Sequence, residues 1–145
     1  MAVKPVPDGY RTITPYLTVA DAAQQIQFLQ KAFNAELRYE MKDDAGHVRH
    51  AEVKIGDSML MIGQARDQWL PRPMNFYLYV ADCDSLYQSA LTAGGKSIQE
   101  PKTQFYGDRH GGVEDPQGNQ WWTATHVEDV SPEEMGRRMK AAAAK

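Results

Sequence analysis

The sequence predicts an α+β fold of two tandem βαβββ modules, and three observations carry that expectation. They are an internal repeat, a helix signal directly after each copy, and three strand-like runs after each helix. The repeat aligns Thr14-Pro15-Tyr16-Leu17-Thr18-Val19-Ala20-Asp21 with Asn75-Phe76-Tyr77-Leu78-Tyr79-Val80-Ala81-Asp82, sharing Tyr, Leu, Val, Ala and Asp. The modules cover about residues 10–64 and 74–128, a final helix covers 131–145, and the 145 residues form one domain.

Each element follows from local chemistry. Both repeat copies read as strands that end on an Asp able to cap the next helix. After Asp21, Gln24 stands at the third helical position to complete a capping box, and Ala22, Ile26, Leu29 and Phe33 recur on one helical face. After Asp82, Leu86 and Ala90 carry the inner face and Gly94-Gly95 ends the helix. Strands are expected at Glu36–Lys42, His47–Ile55 and Met59–Gln64, then at Lys96–Thr103, Asp108–Glu114 and Gln120–Val127. Asp43-Asp44-Ala45-Gly46, Gly56-Asp57 and Asp115-Pro116-Gln117-Gly118-Asn119 supply turns between them. Residues 65–73 join the modules, and Trp69, Pro71 and Pro73 predict a loop packed by its own side chains. Ser131-Pro132-Glu133-Glu134 opens the last helix with a cap, a proline at the first position and an acidic first turn.

Composition excludes whole classes of function. Sixteen Lys+Arg against nineteen Asp+Glu give a net charge of −3, and the basic residues are scattered, which excludes a nucleic-acid partner. No apolar run reaches the length of a membrane span, and Met1 to Pro7 has no apolar signal core. The single Cys83 cannot form an internal disulfide, which fits a reducing compartment, so the cytoplasm is expected.

The segment Gly107-Asp108-Arg109, the run Asp115 to Trp121, the run Thr125 to Val130, and His50-Ala51 ahead of Val53 and Ile55 carry a family likeness. With the tandem modules, they make the chain resemble the glyoxalase/bleomycin-resistance/extradiol-dioxygenase (vicinal oxygen chelate) superfamily, most closely its PhnB-like branch. The resemblance implies two modules that build a concave mixed sheet. It also implies, for metal-using members, a ligand seven residues before each capping Asp and another on the last strand of each module. Those positions hold Thr14, Asn75, Trp122 and approximately Met61 here, none of them a good ligand for a divalent transition metal. No metal or other cofactor is therefore expected, and no catalytic residue is assigned.

Strand alternation indicates what fills the site instead. Thr14, Tyr16, Thr18, Asn75, Tyr77 and Tyr79 share the concave side, with Gln120, Trp122, Ala124 and His126 on one face of the last strand and His50 and Glu52 on the polar face of another. Phe105 and Tyr106 edge the mouth, and Arg109 either pairs with Asp108 or offers a planar fork to an anionic ligand. The expected ligand-binding set is Tyr16, His50, Glu52, Asn75, Tyr77, Tyr79, Phe105, Arg109, Trp122 and His126. A surface of rings and a few polar groups suits a planar or amphipathic small molecule. The resemblance implies a homodimer that sequesters such molecules, as resistance proteins do. The alternative is a metal-dependent lyase, isomerase or dioxygenase using a rearranged set, His50, Glu52 and His126.

Overall fold

The computed structural model describes residues 2–144. Its elements run β1 (Tyr16–Val19), α1 (Ala22–Phe33), β2 (Glu36–Lys42), β3 (Val48–Ile55), β4 (Ser58–Gln64), β5 (Asn75–Tyr79), α2 (Cys83–Thr92), β6 (Lys96–Thr103), β7 (Asp108–Glu114), β8 (Gln120–His126) and α3 (Pro132–Ala143). Met1 and Lys145, the last residue of the expected terminal helix, lie outside the described residues. The expected order of elements is present throughout. Among the described residues, no helix is long and apolar enough to cross a membrane.

The strands form two four-stranded mixed sheets, ordered β1-β4-β3-β2 and β5-β8-β7-β6. In each, the first strand of the module runs parallel to the last, and hairpins join the remaining three. The parallel step needs a crossover, which α1 and α2 supply. Equivalent places in the two sheets are visible in the register, where Tyr16 lies opposite Met61 and Tyr77 opposite Trp122.

All three helices start at the expected caps. Asp21 accepts from the Gln24 N–H at 3.0 Å, Asp82 from the Ser85 N–H at 3.1 Å, and Ser131 from the Glu134 N–H at 3.2 Å. The capping box expected of Gln24 does not close. The Asp21 N–H instead donates to Gln117 Oε1 at 3.0 Å, and the Gln117 amide also donates to Gln24. A residue of the second module thus supplies the acceptor that a helix N-terminus needs.

The two modules meet through their helices. Helix α1 packs on α2, and one continuous core includes Leu17, Leu29, Val53 and Ile62 of the first module with Tyr87, Val113 and Trp121 of the second. The Phe33 ring lies 5.2 Å from that of Trp121, which stacks on Phe76 at 4.3 Å. Alternation then decides the rest: Leu17 and Val19 face this core, whereas Tyr16, Tyr77 and Tyr79 stand on the opposite sheet faces and are exposed. The mixed sheet implied by the resemblance is thus present as two four-stranded sheets, and Tyr16 on one and Tyr77 and Tyr79 on the other are exposed.

Candidate functional site

The N-terminal face is built on β1, β3 and β4. The register sets His50 opposite Gly63 and Glu52 opposite Met61. His50 Nε2 lies 2.9 Å from Glu52 Oε2, and its Nδ1 lies 3.3 Å from the Tyr16 hydroxyl. Because a carboxylate only accepts, Nε2 carries the proton that it shares with Glu52. The Tyr16 ring lies across Gly63, where an added Cβ would sit 2.5 Å from its hydroxyl.

The C-terminal face is built on β5, β7 and β8, and its polar centre is Asp108. Only 5% exposed, Asp108 accepts through Oδ2 from the hydroxyls of Tyr77 and Tyr79, both at 2.8 Å. Its Oδ1 receives His126 Nδ1 at 2.8 Å, while His126 Nε2 donates to Asp129 at 2.7 Å. Burial by itself would raise the Asp108 carboxyl, but the bonds from His126, Tyr77 and Tyr79 outweigh it and hold the group below its ordinary value. His126 is raised, first by its bond to Asp108 and then by that to Asp129, so the ring favours the imidazolium form. Tyr77 is pushed well above the ordinary phenol range by burial and then by its bond to Asp108.

Beside this network lies an aromatic group. His110 stands 5.6 Å from Tyr77 and 5.1 Å from Trp122, ring centre to ring centre, and its Nε2 lies 3.0 Å from the Tyr106 hydroxyl. Burial lowers the His110 pKa below the ordinary imidazole value, and among the described residues its buried Nδ1 has no partner. Trp122 lies flat over Gly112, since a Cβ there would come within 2.7 Å of the indole. Asn75 opens β5 on the same face, opposite Gln120.

One expected site residue sits elsewhere. Arg109 neither pairs with Asp108 nor joins Tyr77. It turns toward α2, where Nε and Nη2 bond both oxygens of Asp84 at 2.8 and 2.7 Å. The cause is alternation: Asp108 and His110 share the Tyr77 face, and Arg109 between them must take the other. Phe105 stacks edge-on with Tyr106 at 5.2 Å, and its carbonyl receives Arg138 of α3. Cys83 is buried, which raises its thiol pKa, so it is a packed side chain and not a thiolate.

The expected ligand-binding set did not include Asp108 or His110. The turn Asp115–Asn119 is closed by the Asp115 N–H to the Asn119 carbonyl at 2.8 Å and sets Glu114 opposite Gln120. Counting back in twos from that pair sets Gly112 against Trp122, His110 against Ala124 and Asp108 against His126. The signal was therefore present in the turn sequence.

The positions at which a metal would be held do not fit one. Thr14 lies ahead of β1 with its hydroxyl bonded to the Arg11 carbonyl at 3.3 Å, Met61 and Trp122 occupy the matching places on β4 and β8, and Asn75 offers a neutral amide. Neither does the rearranged set assemble within the chain: His50 and Glu52 bond each other on one sheet, and His126 is held by Asp108 and Asp129 on the other. Among the described residues, no three His, Cys, Asp or Glu side chains gather as a metal-holding group.

Comparison with known proteins agrees with this architecture. The family model described as the Glyoxalase/Bleomycin resistance protein/Dioxygenase superfamily matches residues 11–123. A Mycobacterium bovis protein described as uncharacterized is 30% identical over 140 residues, covering 89% of this chain and 92% of its own length. Among solved structures, TioX from Micromonospora sp. ML1 superposes with a TM-score of 0.71 at 20% identity, covering 81% of this chain and 99% of that one. A PhnB protein from Bacillus cereus gives a TM-score of 0.64 at 18% identity, covering 79% and 99%. At those identities the structural likeness is one of fold.

Proposed function

The chain belongs to the glyoxalase/bleomycin resistance protein/dioxygenase superfamily, and from that premise we propose that it is a metal-free binding protein for planar or amphipathic small molecules, a drug or a metabolite. One observation carries this proposal. Where the resemblance puts the metal carboxylate of the second module stands Trp122, its ring laid over Gly112 beside His110 and opposite Tyr77. An indole there removes a metal ligand and adds a stacking surface in the same step.

The Asp108 network supports the same use. A carboxylate that holds Tyr77 and Tyr79 by their hydroxyls fixes two rings on an open face, so little rotamer freedom is lost when a flat ligand is stacked on them. Each face is uncovered in the single chain, and a homodimer that sets the N-terminal face of one copy against the C-terminal face of the other would enclose the ligand. The PhnB-like branch and a cytoplasmic setting complete the proposal, the first supported by the Bacillus cereus structure and the second by the single buried Cys83.

The test has two parts. Elemental analysis of untagged protein supplied with Zn, Ni, Mn and Fe is expected to find no stoichiometric metal; about one metal per chain with chelator-sensitive activity overturns the proposal. Titration of planar compounds against tryptophan fluorescence is expected to yield saturable binding that Tyr77→Ala and Trp122→Ala weaken.

A further inference from the structure

A second set of groups surrounds a cavity of about 730 Å³ on the N-terminal face, lined by Tyr16, Met41, His50 and Trp69 with three arginines, Arg49, Arg66 and Arg72. No carboxylate is among its lining residues. Arg49 shares its charge with Asp43 at 3.1 Å. Among the described residues, Arg66 and Arg72 have no ion-pair partner and no side-chain hydrogen bond. In a chain of net charge −3, two uncompensated guanidiniums on one cavity need an account.

The backbone that presents them is held in place. Arg66 and Trp69 exchange backbone bonds of 2.9 and 2.7 Å across a tight turn in which Asp67 takes the left-handed conformation, φ 48°. The Arg72 N–H donates to the Thr18 carbonyl at 3.1 Å, which fastens the segment to the edge of β1. The turn and the bond at Arg72 therefore hold in place the segment from which Arg66, Trp69 and Arg72 line the cavity together with Tyr16. Like charges that line one cavity repel each other, and an anion bound there relieves the repulsion.

We propose that this cavity selects planar organic anions: Arg66 and Arg72 receive a carboxylate, sulfonate or phosphate group, and Tyr16 and Trp69 receive the ring to which it is attached. The guanidinium fork matches the planar pair of oxygens of such a group, and the rings provide the apolar area that a free inorganic anion cannot use. This rests on the small-molecule reading above and adds the ligand's charge to it.

Isothermal titration of the full chain with three probes of one shape tests the assignment: 2-naphthoate, 2-naphthamide and 2-naphthylmethylammonium. Naphthoate is expected to bind about ten-fold tighter than the amide, with the ammonium weakest. Arg66→Gln with Arg72→Gln should bring naphthoate down to the level of the amide, and Trp69→Ala should weaken both in parallel. These side chains are exposed and carry no structural bond, so the variants keep the fold; Arg137→Gln on α3 is the control that leaves the ratio unchanged. Equal affinity for all three probes overturns the charge assignment while planar-ligand binding stands. A preference for naphthoate that survives the double substitution also overturns it, and failure of every probe to bind overturns both proposals.

Discussion

Gln25 Nε2 donates to Asp115 Oδ2 at 2.8 Å in the seam between the two modules, where both residues are buried. The same oxygen takes the Trp121 indole N–H at 2.8 Å, and the Asn119 amide donates to Gln25 Oε1 at 2.9 Å. A turn residue of the second module is thus tied to the first helix by a closed polar network inside the core. Such a network specifies one docking of the two modules, because any other leaves several buried donors unpaired.

Asp115→Ala is therefore expected to cost about 3–5 kcal/mol, since it strands Gln25, Asn119 and Trp121 together. Urea unfolding measures it. A loss below about 1 kcal/mol would mean that water reaches the seam.

The two histidines of the C-terminal face are expected to titrate on opposite sides of the ordinary imidazole value, His126 above it and His110 below it. For His126, raised in the folded state, the stabilisation is complete below the unfolded value and is lost as pH rises through the folded one. For Asp108, lowered in the folded state, it is present above the unfolded carboxyl value and is lost as pH falls through the folded one. Ring-proton titration by NMR reads both histidines, and Asp129→Asn should lower His126 while leaving His110 in place.

Gly112→Ala forces the Trp122 ring off the strand, because the new methyl would meet the indole at 2.7 Å. The expected outcome is weaker binding of planar compounds with the fold retained, seen as a changed fluorescence titration beside an unchanged far-ultraviolet spectrum. Unaltered affinity would show that the ring position does not matter.

Arg109→Gln breaks the pair with Asp84 on the helix side of β7. A small drop in melting temperature is expected, with no change in the affinity of any planar ligand. A marked loss of affinity would return Arg109 to the ligand face.

The order of elements was legible because each signal is local. Asp21, Asp82 and Ser131 bond amides three residues on, and the Asp115–Asn119 turn closes on itself, so neighbours in sequence contain everything these features need. Alternation assigned Leu17 and Val19 to the core and Tyr16, Tyr77 and Tyr79 to the opposite faces for the same reason. For Arg109, the face was readable from the register and the partner was not: Asp84 lies 25 residues away, brought there by α2 packing on β7.

By itself, the sequence determined two βαβββ modules, their caps and turns, and which side chains share a strand face. Those follow from the backbone periods of helix and strand, which act over a few residues. Tertiary structure alone decided that Gln117 completes the cap of Asp21 and that Asp108 gathers Tyr77 and Tyr79, and the laying of the linker on β1 decided that Arg66 and Arg72 line one cavity with Tyr16. The first two sets come from segments far apart in the chain, and only the packing of α1 on α2 and the pairing of β5 and β7 with β8 bring such distances down to a hydrogen bond.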